Sequence, residues 1–503
     1  MPEGREERRR RFFRTAARLV AFMAAVASLA CSRERAARSE GAAAVLRVGV
    51  AGLSSSNPGS GLRQLAQILS IEGLARVGED GRPEPTLAET WTSPNNGRSY
   101  LVRLKSGVKF HDGTPLTPEI VAGVLPVSMR QTFGPVADDV EQVKAVDANT
   151  IEITFRRPSP LLFEAIEAGI RKPGSSVGTG PFVAVPNSTS ELRANPDYYA
   201  GQPRIHEIHV ETFPAVRTAW AKMLRNDLDM LWEVGPDALS SLEHSAKVAV
   251  FTFTRHYQYV VALNTQAAAL RSPAVRRALN LAIDRPKLVA DALNGHGVPS
   301  WGPVAPRHWA LESSAQENHS YDPGQAAQLL GARTGKRAST RFTLLIASDA
   351  VYERIALELK RQLEAVGIEI DVEAVSQDQT FDRLQHGRYD AVLIDAISGP
   401  SLLRPYGIWH SRMPGNSGMF GNRAVDEAFD RVREAETESA YRTAIGNLVR
   451  VFWDDPPAVF LAWSVRARAV STRFDVPSEE GRDVLSTLRL WKPSAVQQRA
   501  SRN

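Results

Sequence analysis

Beyond residue 44 the chain alternates between short apolar runs and stretches whose apolar residues recur every three or four positions. Val45-Leu46-Arg47-Val48-Gly49-Val50 reads as a first core strand, and Ser54-Ser55-Ser56-Asn57-Pro58-Gly59 as the loop after it. A helix is predicted next, through Leu62, Leu65, Ile68 and Leu69. Tyr100-Leu101-Val102-Arg103-Leu104 then alternates, Lys109-Phe110 leads into the turn His111-Asp112-Gly113, and Thr150 to Phe155 alternates again, which marks a small β-rich unit. In the second half Phe342 to Ile346 is a buried-strand run. The helix predicted over 351–365 carries Ile355, Leu359 and Leu363 on one face before Gly367 caps it. Ile368 to Val372 and Asp390 to Ile394 add two strands, so this part is a βαβ unit in a mostly parallel or mixed sheet.

At 503 residues the chain is longer than one core of roughly 250 to 300 residues can serve, and at least two lobes are expected. Hydrophobic residues at 43% and charged residues at 23% describe packed cores with an ordinary surface. The net charge of +5 would suggest nucleic acid if it lay on the folded body, but residues 1–30, with seven Arg against three Glu, carry +4 of it. With no run of Lys and Arg after Arg38, nucleic acid is set aside as a partner.

The N-terminal 30 residues read as a signal peptide: a basic stretch, then an apolar run from Leu19 to Ala30 too short to span a membrane. Arg9-Arg10-Arg11-Phe12-Phe13-Arg14 resembles the twin-arginine export pattern, with ordinary secretion as the other route. Cys31, the single cysteine, follows the apolar run directly; its placement resembles the lipobox of bacterial lipoproteins, where the Cys carries the lipid anchor. Ser28-Leu29-Ala30 departs from the usual order of Leu and two small residues. Residues 31–44 then form a polar, small-residue tether, and no disulfide within the chain is possible.

Leu87-Ala88-Glu89-Thr90-Trp91, followed by the whole string from Tyr100 to Thr117 with its Phe110-His111-Asp112-Gly113-Thr114-Pro115, resembles the signature of family 5 extracellular solute-binding proteins. These are the dipeptide, oligopeptide and nickel binders. Gly178-Thr179-Gly180-Pro181-Phe182, Asn195-Pro196-Asp197-Tyr198-Tyr199, Leu263-Asn264-Thr265, Val275 to Arg285, and Tyr321-Asp322-Pro323 are similar to later family segments, in the family's order. The resemblance spans about 45–470. It implies an α/β, two-lobed periplasmic-binding-protein fold of type II, peptide-binder cluster, with an additional small β-rich subdomain in the first lobe. The implied division places 45–73, 178–262 and 461–492 in the first lobe, 74–177 in the subdomain and 263–460 in the second lobe. Two crossings, near Leu263 and Phe460, are what a hinge requires. The implied function is capture of a small ligand in the interlobe cleft and delivery to an ABC permease, by a monomer held to the membrane through its lipid.

Peptide binders of the family place a Trp and then an amine-pairing Asp after the strand that follows Tyr389-Asp390. By spacing those positions fall near Asp395 and Ser398, so that carboxylate is displaced or absent, with Asp395 either a substitute or a turn cap. Strand ends and crossovers supply the other candidate ligand contacts: Ser54 and Ser55 in the first loop, Trp232, and the cluster of Arg404, Tyr406 and Trp409. Asp112-Gly113 suits a tight hairpin better than catalysis.

An enzyme is not expected, and no cofactor or metal is called for. The only Cys lies in the leader, and no Gly-x-Ser-x-Gly elbow, phosphate-binding Gly-Lys loop or His-Glu-x-x-His motif occurs. His206 and His209, three apart in a strand pattern, read as surface residues. The alternatives are an exported sensor or chaperone module that kept the binding fold, and an unrecognised hydrolase. Replacing Cys31 with Ser is expected to move the protein from the membrane fraction to the soluble fraction while leaving it folded; a variant still membrane-bound after fractionation would contradict the lipid anchor.

Overall fold

The computed structural model describes residues 44–51, 60–235, 238–239, 242, 244–312, 321–331, 340–416, 421–479 and 481–494. Cys31, Ser54 and Ser55 lie outside the described residues. Two antiparallel strands of unusual length, 16 and 14 residues, run through the middle of the molecule and join its halves. Both belong to one sheet of eleven strands. In chain order these are β1 (Val45–Ala51), β2 (Phe182–Ala184), β3 (Glu191–Ala194), β4 (Glu207–Phe213), β5 (Met230–Val234), β6 (Val248–Leu263), β7 (Gly297–Pro299), β8 (Thr340–Ala347), β9 (Ile368–Val375), β10 (Ala391–Ile397) and β11 (Ala458–Ser471). Across the sheet they lie in the order β9-β8-β10-β6-β11-β5-β1-β4-β3-β2, with β7 beside β11.

At one end β1 pairs in parallel with both β4 and β5; at the other β8 pairs in parallel with both β9 and β10. These are two α/β lobes, each with its helices on the sheet faces. The long strands β6 and β11 serve both, pairing with each other along nearly their whole length. Strands covered on two faces must be apolar throughout. In β11 every residue is buried except Val465 and Arg466, and that interruption falls where its register against β6 shifts, between Thr254 and Gln258.

The predicted βαβ unit is present as β8, a helix over Ala350–Glu364 and β9, with Ile355, Leu359 and Leu363 buried and Gly367 at φ +89° ending the turn beyond the helix. The first helix, Ser60–Leu69, buries Leu62, Leu65 and Leu69, but Ile68 is exposed. At 100° per residue Ile68 stands more than 90° round the helix from the face that Leu62 and Leu69 share, so the expectation for Ile68 is corrected.

The β-rich unit is a four-stranded antiparallel sheet with the order Ala88–Thr92, Ser99–Leu104, Thr150–Phe155, Val140–Ala145. The helix Pro118–Phe133 packs on it; Thr117 caps its start by accepting from the Ile120 N–H, and Pro118 sits where no N–H is needed. The apolar core beneath this sheet is continuous with that of the helices Leu403–Trp409, Arg423–Glu434 and Glu438–Asp454. Polar groups cross the same interface: Arg433 pairs with Asp139 (2.5 Å), Arg157 with Glu434 (2.8 Å) and Arg404 with Glu167 (3.3 Å). At its centre Glu164, fully buried, accepts hydrogen bonds from Ser401 Oγ (2.7 Å), the Leu402 N–H (3.2 Å) and Tyr441 OH (3.2 Å).

Burial raises the Glu164 carboxyl from 4.5 to about 8, against the pull of its Ser401 hydrogen bond and with the push of Glu167. The native state therefore holds a proton that the unfolded chain releases above its ordinary value, so Glu164 favours folding fully below pH 4.5 and loses that contribution as pH rises to about 8. Thermal unfolding at pH 5 and pH 8 should show a smaller loss of stability in Glu164→Gln than in the parent, at about 1.4 kcal/mol per unit of pKa difference removed. Equal slopes for the two proteins would mean Glu164 is ionised in the fold.

Candidate ligand-binding site between the lobes

Where β6 and β11 shift register, charged side chains from both halves of the sheet converge. Glu233 comes from β5 at the first-lobe end and Asp395 from β10 at the second-lobe end. Arg255 stands on β6 between them, donating from Nη1 to Asp395 Oδ2 at 2.8 Å and lying 3.6 Å from Glu233 Oε1. Arg466 on β11 approaches the same Glu233 oxygen at 3.3 Å and donates to Tyr259 OH at 3.0 Å. Two carboxylates and two guanidiniums thus balance in charge, with side chains between 14% and 28% exposed. Pairing of this kind is what allows charge to sit so deep.

Burial pushes the Asp395 carboxyl up and Glu233 adds to the push, while Arg255 and Arg466 pull it down. On Arg466 burial works against the charge, yet Tyr259, Glu233 and Asp395 outweigh it and hold the guanidinium more firmly protonated. Asp395 Oδ1 is buried and has no hydrogen-bond partner among the described residues. Tyrosines wall the cluster: Tyr259 sits opposite Asp395 in the β6–β10 register and meets Tyr352 edge to face at 6.1 Å, and the Arg255 guanidinium lies 4.1 Å above the Tyr257 ring. The Tyr352 hydroxyl is raised by burial and by Asp395, so it stays a donor at neutral pH.

Ser398 directly follows the end of β10. Its Oγ donates to Gln258 Oε1 (2.8 Å), and Gln258 Nε2 donates in turn to Ser300 Oγ (2.8 Å) and the Gly302 carbonyl (3.0 Å). The chain is buried and its members satisfy one another, which fixes β10, β6 and the segment after β7 together. Beside it is a crevice of about 20 Å³ lined by Ser300, Trp301, Gly302, Val304, Leu311 and Trp463, room for about one water.

The remaining sequence candidates fall elsewhere. Trp232 is buried in the first-lobe core with the Arg468 guanidinium 4.0 Å over its ring; its neighbour Glu233, on the opposite face of β5, is the residue that reaches the charged cluster. Tyr406 and Trp409 are 1% exposed in the core shared with the small sheet, where Trp409 packs against Phe452 and Phe460 and Tyr406 donates to Asp430 (2.9 Å). Arg404 faces Glu167 in the same interface. Glu233, Arg255 and Arg466 were not among the sequence candidates, although charges embedded in apolar strand runs such as Ala462 to Val470 are a signal that could have drawn attention to them.

The signature motifs hold structure. Asp112 Oδ1 accepts from the Thr114 N–H (3.1 Å) in the hairpin whose Gly113 has φ +84°. A Cβ at Gly178 or Gly180 would stand 2.0 and 2.4 Å from the Ser70 and Leu69 carbonyls. Thr179, Tyr198 and Tyr199 all donate to Glu72, which burial raises. His206 and His209 are exposed, and among the described residues no group of His, Cys, Asp and Glu has the arrangement of a metal site.

Two α/β lobes joined by a pair of shared strands, with a polar and aromatic seam between them, define a two-lobed binding protein. A model of the bacterial extracellular solute-binding proteins, family 5, matches residues 82–413, and the chain belongs to that family. It is therefore a solute-binding protein of the kind that serves ABC importers, a family whose members bind rather than transform their ligands. Among curated proteins it is 27% identical to Protein XP55 of Streptomyces lividans over 92% of this chain and 91% of that one. It is 23% identical to the oligopeptide-binding protein AppA of Bacillus subtilis over 77% and 79%. The solved structure of NikZ from Campylobacter jejuni in complex with Ni(L-His) superposes with a TM-score of 0.74 at 18% identity, covering 89% of this chain and 99% of NikZ. No helix among the described residues is long and apolar enough to cross a membrane.

The packing around Trp409 predicts that Trp409→Ala costs about 3–5 kcal/mol of stability, the usual result of emptying a large buried site. Chemical denaturation measures it; a loss under about 1 kcal/mol would mean the ring is not part of the core.

Proposed function

We propose that this chain is the exported, lipid-tethered receptor of an ABC importer, and that its ligand is held between the lobes against Glu233, Arg255, Asp395, Arg466 and the tyrosines around them. The observation that carries the reading is that one carboxylate from each lobe meets the arginines of the two strands the lobes share. Ligand captured there touches both lobes and the hinge at once, which is what couples occupancy to closure. Asp395 and Ser398, both expected in the cleft, belong to this seam; Arg404 stands at the neighbouring interface with the small sheet. Peptides and nickel chelates are the ligands named for the relatives, and a small peptide-like or otherwise polar molecule suits the chemistry of this seam.

The hinge is assigned to the register shift opposite residues 254–258, where the β6–β11 ladder is already interrupted, so bending there breaks few hydrogen bonds. Opening would draw Glu164 away from Ser401 and Tyr441 and widen the seam above Asp395. Export by the leader and anchoring through Cys31 would place the receptor at the outer face of the cytoplasmic membrane, next to its permease.

Native mass spectrometry of the purified protein is expected to show a co-purified small molecule. Small-angle scattering after its removal should give a larger radius of gyration that falls when the same molecule is restored. A radius unchanged at saturation would argue for a rigid binder and against the hinge.

A further inference from the structure

This inference deepens the importer reading and rests on it: it concerns which ligand groups the seam accepts. Asp395 presents two oxygens in different circumstances. Oδ2 is taken by the Arg255 guanidinium at 2.8 Å, while Oδ1 is buried and without a partner among the described residues. A buried acceptor left unmet is costly, so Oδ1 is a place for a donor. The kind of donor follows from the charges already present. Glu233 and Asp395 are matched by Arg255 and Arg466, all within 3.6 Å of a partner, and the seam carries no net charge before a ligand arrives. An ammonium brought to Oδ1 would lose its hydration and add an unmatched positive charge close to two guanidiniums. A hydroxyl or amide N–H would satisfy the same oxygen and add none.

We infer that Asp395 Oδ1 receives an uncharged hydrogen-bond donor of the ligand, a hydroxyl or an amide N–H, and that Arg255 sets this preference by neutralising the carboxylate. Asp395 is thus a neutral-donor acceptor and Arg255 the specificity-determining residue behind it. Tyr352, half-buried and edge to face with the buried Tyr259 beside Asp395, supplies the aromatic surface against which the apolar side of such a ligand packs. Short peptides with a free amino terminus are discriminated against at this position. Their acylated counterparts, or polyhydroxylated molecules, are favoured.

The test is affinity selection with mass-spectrometric readout at pH 7, on the ligand-stripped protein, from three matched sets: free di- and tripeptides, the same peptides N-acetylated, and neutral oligosaccharides. The wild type is expected to retain acetylated peptides or oligosaccharides at least tenfold over free peptides; which of the two sets is retained tells amide from hydroxyl. In Arg255→Met the Asp395 charge is unmatched, and the preference should reverse toward free peptides. Asp395→Asn keeps an acceptor oxygen and should keep the preference for neutral sets, which provides an independent reading if Arg255→Met does not melt cooperatively. Equal retention of free and acetylated peptides by the wild type, retention of none of the sets, or an Arg255→Met protein that folds and keeps the wild-type preference would each overturn the inference. The importer reading stands or falls separately, on the co-purified molecule and the change in radius.

Discussion

The pairing of β6 with β11 is the constraint on which the rest depends. Among the described residues these two antiparallel strands are the only elements long enough to belong to both lobes, and each lobe adds its parallel strands to one flank of the pair. β11 is buried along nearly its whole length and β6 from Gln258 to Leu263, so a polar residue in these stretches needs partners inside the protein. Gln258 and Arg466 are such residues, and Arg255 stands beside them. They cluster where the ladder shifts, so the place where the strands bend most readily is also where they carry charge.

From that coincidence the chemistry of the seam follows. Arg255 and Arg466 need anions, and the strands beside them, β5 in one lobe and β10 in the other, supply Glu233 and Asp395. The result is a network that is neutral overall, deep, and divided between the two lobes. A second interlobe contact, through Glu164 and the helices that follow Ser401, is built differently: a buried carboxyl that burial raises, with Glu167 adding to the push, is held by three donors. The first contact places charges of both signs at the junction, the second a single carboxyl inside an apolar core.

The family's strongest sequence signature contributes to neither. The hairpin at Asp112-Gly113 and the glycines at 178 and 180 are there because the backbone turns sharply or passes within contact distance of the Leu69 and Ser70 carbonyls. A motif can be specific for a fold without touching the ligand, and here its residues secure the join between the small sheet and the first lobe around Glu72. That explains why a confident family assignment brought so little information about the site.

Local pattern was enough for the elements whose burial is one-sided and periodic. The helix that carries Ile355, Leu359 and Leu363, the strands around Phe342 and Ile370, and the alternation from Thr150 to Phe155 were all legible, because each element's own period reports the face it buries. Ile68 was misplaced for want of one step of helical phase. Asp395 and Ser398 were picked out by spacing, but their circumstances were not: nothing local says that Asp395 is neutralised by a residue 140 positions earlier, or that Ser398 completes a chain through Gln258. Trp232, Tyr406 and Trp409 drew notice as aromatics, and only tertiary packing placed them in cores. The sequence by itself determined the family, the two-lobed α/β plan and most elements, since these follow from periodicity and turn chemistry within a few residues. The seam, its charge balance and the neighbours of each buried ring were decided by the tertiary structure, because they depend on strands brought together from positions 233, 255, 395 and 466, a separation no local pattern encodes.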